Sequence, residues 1–96
     1  MSDEKSETRD RETRLRRIIF RANHRGMKEM DILLGGFAKT HLESLSDADL
    51  HRFELLMTVL DQEFYAILVG DKPVPSPLDH DLMHRLIDYT HNQAKP

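Results

Sequence analysis

Apolar residues recur at helical spacing along most of this chain. Leu15, Ile18, Ile19 and Ala22 stand at i, i+3, i+4 and i+7, which lines one helix face at ~100° per residue. The pattern predicts a first helix over 11–24. Met30, Leu33, Leu34, Phe37, Ala38, His41 and Leu42 form a second stripe, predicting a helix over 27–42. Gly26 falls at the seam between them, where a residue able to take positive φ would end the first helix. Met27 falls where a hydrophobic contact closes such an end. Ser46-Asp47-Ala48-Asp49 is a helix-start signal, with Ser46 as N-cap, Asp49 at the capping-box position and Leu45 and Leu50 as a staple. Leu50, Phe53 and Met57 continue that helix's inward face.

Asp61 fits the N-cap of a short fourth helix over 62–69, rich in apolar bulk from Phe64, Tyr65, Ile67 and Leu68, with Gly70 as terminator. Pro73, Pro75 and Pro77 keep the next stretch extended. Ser76-Pro77-Leu78-Asp79 then repeats the start signal, predicting a fifth helix over 77–92. Its inward residues are Leu78, Leu82, Leu86 and Tyr89. The polar residues 1–10 are expected to form a disordered leader and 93–96 a tail, leaving one helical domain over 11–92. The expected fold is all-α, a compact bundle of about five short helices. Gly35-Gly36 breaks the second stripe at mid-helix. Each glycine there costs about 0.5–1 kcal/mol relative to alanine, and close packing against another helix is the expected compensation.

Composition narrows the function. At 96 residues, with 39% hydrophobic and 32% charged residues, the chain suits one soluble helical domain. Cysteine is absent, which removes disulfides, thiolate nucleophiles and Cys-based zinc sites. No apolar run is long enough to span a membrane, and the acidic start lacks the features of a signal or transit peptide. That start is expected to be the native one of a bacterial cytoplasmic protein, or a processed chain carrying vector residues. The net charge of −3 is uneven: residues 1–31 carry nine basic and seven acidic side chains, and residues 32–96 carry five and ten. A basic front on an acidic body suggests an oriented partner surface. Arg14, Arg21 and Arg25 line one flank of the first helix. Lys28 and Glu29 point away from the second stripe.

Catalytic patterns are missing. There is no Gly-rich phosphate loop, no Ser-His-Asp order and no inward pair of carboxylates. His41 lies on the apolar stripe and is expected to be a half-buried, hydrogen-bonded histidine. His80, His84 and His91 share one side of the fifth helix near Asp81 and Asp88. A solvated face accounts for them better than a metal site, because nothing rigidifies them and no H-E-x-x-H pattern is present. No catalytic, cofactor-binding or metal residues are assigned.

The seam carries one further signal. Arg21-Ala-Asn-His-Arg25-Gly26-Met27-Lys28-Glu29-Met30-Asp31 contains an R-G-x-x-E motif, preceded by Arg17-Ile18-Ile19-Phe20. Asp31-Ile32-Leu33-Leu34, Phe37-Ala38, Leu45-Ser46-Asp47, then Asp61 to Gly70 and Lys72-Pro73 follow in order. This ordered set resembles the succinate dehydrogenase assembly factor 2 family, the small flavinylation factors of bacteria and mitochondria. Phe64 and Tyr65 stand near where many members carry tryptophan, and His24 where a basic residue is common.

The resemblance implies a non-enzymatic assembly chaperone. Its partner would be the flavoprotein subunit of succinate dehydrogenase, or of fumarate reductase. It would promote covalent attachment of FAD to a histidine of that subunit, binding no cofactor stably itself. The motif carries over as Arg25, Gly26 and Glu29, and the expected partner-binding set is Arg17, Arg21, Arg25, Gly26, Met27, Lys28 and Glu29. A monomer without nucleic-acid or membrane partners is expected. Two other classes are a nucleic-acid binder using the arginine-rich first helix, which the acidic body and lack of aromatic platforms disfavour, and an oligomerising helical module.

Overall fold

Phe37 and Phe53 stack at the centre of the molecule with ring centroids 6.0 Å apart, and the helices are arranged around them. The structure, a computed structural model, describes the backbone of residues 3–94 and the side chains of residues 10–92. Five α-helices follow in order: α1 (Asp3–Asn23), α2 (Lys28–His41), α3 (Asp47–Leu56), α4 (Asp61–Leu68) and α5 (Asp81–Ala94). Single 3₁₀ turns, Leu42–Ser44 and Ser76–Leu78, precede α3 and α5. No strand occurs among the described residues.

The predicted stripes are the core. Ile18 and Ala22 of α1, and Met30, Leu34, Phe37 and Ala38 of α2, are buried. So are Leu50, Phe53 and Met57, then Phe64, Ile67 and Leu68, and Leu82 and Leu86. Burying each such large side chain contributes about 1.5–3 kcal/mol. Met83 of α5 and Leu56 of α3 join them. The one buried polar side chain among the described residues, Thr90, donates its hydroxyl to the Leu86 carbonyl at 2.9 Å, which removes the penalty of burying it.

Gly35 and Gly36 both face side chains of neighbouring helices at close range. A Cβ at Gly35 would run into the Asn23 side chain from the end of α1. One at Gly36 would run into the Tyr89 hydroxyl from α5. The expected compensation, tight packing on neighbouring helices, is therefore present on both sides of α2.

Several helix ends differ from the pattern. α1 starts at Asp3, not near residue 11, and ends at Asn23. Glu, Lys and Arg are good helix formers, so polar composition alone does not stop a helix. Arg11 also anchors it, donating to Asp47 Oδ1 and to the Leu45 carbonyl, both at 2.7 Å. The first two residues of the expected leader and the last two of the tail lie outside the described residues. Met27 is the N-cap of α2 and Leu42 belongs to the following 3₁₀ turn.

Ser46 caps α3 as expected, its Oγ accepting from Asp49 N at 3.1 Å. Asp49 does not complete the capping box; its carboxylate takes a hydrogen bond from Arg52 one turn on. Before α5, the Ser-Pro start makes only the 3₁₀ turn. The helix proper begins at Asp81, where the His80 ring accepts from Met83 N at 3.1 Å and so acts as the cap. Gly70 ends α4 with φ +89°, the backbone that favours glycine.

Candidate partner-docking surface

Arg25 lies in the link between α1 and α2, just beyond the end of the first helix. Helical periodicity extended from α1 would place its side chain on an outer flank. The chain has already left the helix at Asn23, and Arg25 turns inward. Its Nε donates to Asp61 Oδ1 at 2.6 Å, and Nη2 lies 2.5 Å from the same oxygen in an ion pair. Nη1 donates to the Met57 carbonyl at 2.5 Å and Nη2 to the Val59 carbonyl at 2.9 Å. Only 11% of the Arg25 side chain and 17% of the Asp61 side chain are exposed. The backbone N–H of Arg25 is bound as well, to the Asp31 carboxylate.

One guanidinium thus ties the α1–α2 link to the end of α3 and the start of α4. Arginine suits this role because its fixed fork serves several acceptors at once. A cation beside the end of α3 also complements the helix dipole. The expectation that Arg25 faces outward to a partner is corrected by this geometry. Asp61 is corrected with it: it is the first residue of α4, and its carboxylate serves Arg25 instead of capping the helix.

The rest of the motif lies outside. Gly26, Lys28 and Glu29 are exposed, and Met27 is half-buried against the core. Gly26 does not carry the positive φ expected of a helix-ending glycine. An added Cβ there would make ordinary contact with Asp61 Oδ2 at 3.5 Å, so the fold itself makes no steric demand for glycine. Arg17 and Arg21 are exposed. Among the described residues they form no ion pair, whereas Arg11, Arg14 and Arg25 are consumed by Asp47, Glu54 and Asp61.

An open groove of about 410 Å³ runs over the Arg25–Asp61 pair. Phe20, Arg21, His24 and Gly26 form one wall; Thr58, Val59 and Leu60 form the other. Phe20 is 63% exposed and stacks on the His24 ring, centroids 4.0 Å apart. The His24 Nδ1–H donates to the Phe20 carbonyl at 2.7 Å, which fixes the ring's orientation. A second depression of about 730 Å³ continues from Gly26, Met27, Leu60 and Asp61 to Glu63 and Lys72. The junction is thus a continuous surface with an apolar lip, a neutralised ion-pair floor and, on its rim, Arg21, which forms no ion pair among the described residues. Leu60 and the exposure of Phe20 were not foreseen.

Other candidates dissolve into structure. His41 is half-buried between aromatic rings, edge-on to Tyr89 and tilted against Phe37. Among the described residues its ring makes no hydrogen bond, contrary to expectation. His80 caps α5, and His84 Nε2 pairs with Asp79 Oδ1 at 2.6 Å. No group of three or more His, Asp or Glu side chains converges on a metal position among the described residues. No helix among them is long and apolar enough to cross a membrane.

Fold and surface together define a small all-α protein with an open groove beside its α1–α2 link. The family it belongs to is the flavinator of succinate dehydrogenase family, whose model matches residues 16–90. The mitochondrial succinate dehydrogenase assembly factor 2 of Mycosarcoma maydis is 36% identical over 91 residues, covering 88% of this chain and 38% of that protein. The FAD assembly factor SdhE of Acetobacter pasteurianus is 35% identical over 75 residues, covering 78% and 69%. The mitochondrial assembly factor 2 of Candida glabrata is 31% identical over 83 residues, covering 82% and 54%. The chain thus spans between about a third and two thirds of the length of these relatives.

Proposed function

We propose that this protein is an assembly chaperone. It binds the flavoprotein subunit of succinate dehydrogenase, or of fumarate reductase, and promotes covalent attachment of FAD to that subunit. Family membership supports the process. The observation that carries the site is the split inside the motif: Arg25 is spent on the fold, while Gly26, Lys28 and Glu29 remain exposed beside the groove. The exposed part is the contact surface and the buried part its foundation. Gly26 lets the partner's surface approach bare backbone, and Glu29, Lys28, Arg21 and Arg17 supply charge-assisted contacts.

The protein performs no bond chemistry in this mechanism. FAD is cargo of the client, and docking favours a client arrangement in which its own residues attach the flavin, a population shift driven by differential binding. The free protein acts as a monomer, in the bacterial cytoplasm. Internal pairing of three of the arginines of α1 and its exit leaves a thinner cationic face than a nucleic-acid binder needs.

The test is reconstitution of client apoprotein with FAD, read as covalent flavin fluorescence on a denaturing gel. Wild-type protein should raise the signal. Gly26→Arg and Glu29→Lys should abolish the rise while keeping a wild-type circular dichroism spectrum. Full flavinylation with both folded variants would overturn the assignment of the surface.

A further inference from the structure

Leu60 occupies a position where leucine is a poor choice on every local ground. It is the N-cap of α4, with φ −60° and ψ 139°, and offers no side-chain hydrogen bond to the helix start. Ser, Thr, Asp and Asn are preferred there, and a residue without a capping oxygen forgoes roughly 1 kcal/mol. Nor does burial compensate: Leu60 is 75% exposed, more than Phe20, Ile32 or Leu55, the other large apolar residues at the surface. A local rule broken without structural return marks a functional position.

Its surroundings say what it serves. Leu60 and Phe20 stand on the two walls of the groove. The carboxylate of the next residue, Asp61, is held by Arg25, so the turn that presents Leu60 is fixed to the α1–α2 link. That preorganisation reduces the ordering a contact must otherwise carry. The rim cation Arg21 is exposed and forms no ion pair among the described residues, whereas the charges on the floor neutralise each other. Such a groove complements a partner surface with a protruding apolar side chain beside a carboxylate.

We infer that Leu60, with Phe20 opposite, is the apolar anchor of the docking surface. It receives an apolar side chain of the flavoprotein subunit, whose neighbouring acidic group meets Arg21. This rests on the function proposed above and extends the contact surface from the R-G-x-x-E segment to the α3–α4 turn.

The test uses the property that makes Leu60 unusual. Leu60→Ser supplies a cap and removes the anchor, so stability and binding should move in opposite directions. Calorimetric titration of the client subunit into wild type, Leu60→Ser, Phe20→Ser and Leu55→Ala compares the groove with an exposed leucine outside it. Leu60→Ser should melt at or above the wild-type temperature and bind at least tenfold more weakly, as should Phe20→Ser. Leu55→Ala should bind as the wild type. Wild-type affinity in Leu60→Ser, or an equal loss in Leu55→Ala, overturns the anchor and leaves the proposed function standing. No binding by the wild type overturns both.

Discussion

Arg25 and Asp61 lie 36 residues apart in the chain and close the molecule like a clasp, two guanidinium nitrogens meeting one carboxylate oxygen. Arg25 also serves two backbone carbonyls past the end of α3, so removing it strands Asp61 and both carbonyls, and removing Asp61 leaves a largely buried cation without its counter-charge. Breaking a largely buried pair from one side costs about 3 kcal/mol or more, because a charge is left without compensation. Asp61→Ala and Arg25→Ala are each expected to lower unfolding free energy by about that amount in urea titrations. Arg25→Lys should recover less than half of it, since an ammonium cannot reproduce the fork.

The two mid-helix glycines should respond differently to alanine. The Asn23 side chain facing Gly35 is exposed and can swing into solvent. Gly35→Ala should be near neutral, or stabilise by up to about 0.5 kcal/mol through helix propensity. The Tyr89 hydroxyl facing Gly36 belongs to a ring wedged against Phe37 and His41. Gly36→Ala should therefore destabilise by about 1–3 kcal/mol, the usual cost of overpacking. Thermal unfolding of the two variants gives the comparison directly.

Gly26 separates contact from fold. Its backbone is not in the left-handed region, and a Cβ there meets nothing closer than 3.5 Å. Gly26→Ala should melt within about 2 °C of the wild type, in line with the small effects of surface substitutions. Any loss of client flavinylation in that variant then reports surface contact alone.

Zinc offers a check on the histidines of α5. His80 Nδ1 accepts from Met83 N and His84 Nε2 pairs with Asp79, so one ring nitrogen of each is committed within the fold, and no three His, Asp or Glu side chains converge among the described residues. Equimolar zinc should leave the melting temperature unchanged, whereas a ligand bound to the native state alone would raise it.

How far these features were legible follows from where their partners lie. Leu34, Phe37, Phe53 and Leu86 are buried because periodicity points them inward, and periodicity is a local property of the chain. The Ser46 cap is equally local, as its partner stands three residues on. Arg25 could not be read this way: its partner is 36 residues distant, and its direction changes because α1 stops two residues earlier. Asp61 looked like a cap for the same reason, since a carboxylate before an apolar run is a cap unless a cation elsewhere claims it. Of the expected partner-binding residues, Arg17, Arg21, Gly26, Lys28 and Glu29 do lie exposed. The opposite wall of the groove was invisible because it comes from the α3–α4 turn, which only tertiary folding brings alongside.

The inward turn of Arg25 has one more consequence. The guanidinium is seated beneath the outer surface of the junction, so under the proposed function a nascent or partly unfolded copy would have nothing to offer its client. Docking would thereby be restricted to folded chains. Mass action must then work in reverse: saturating client should slow amide exchange at the α3–α4 turn as well as at the residues it covers.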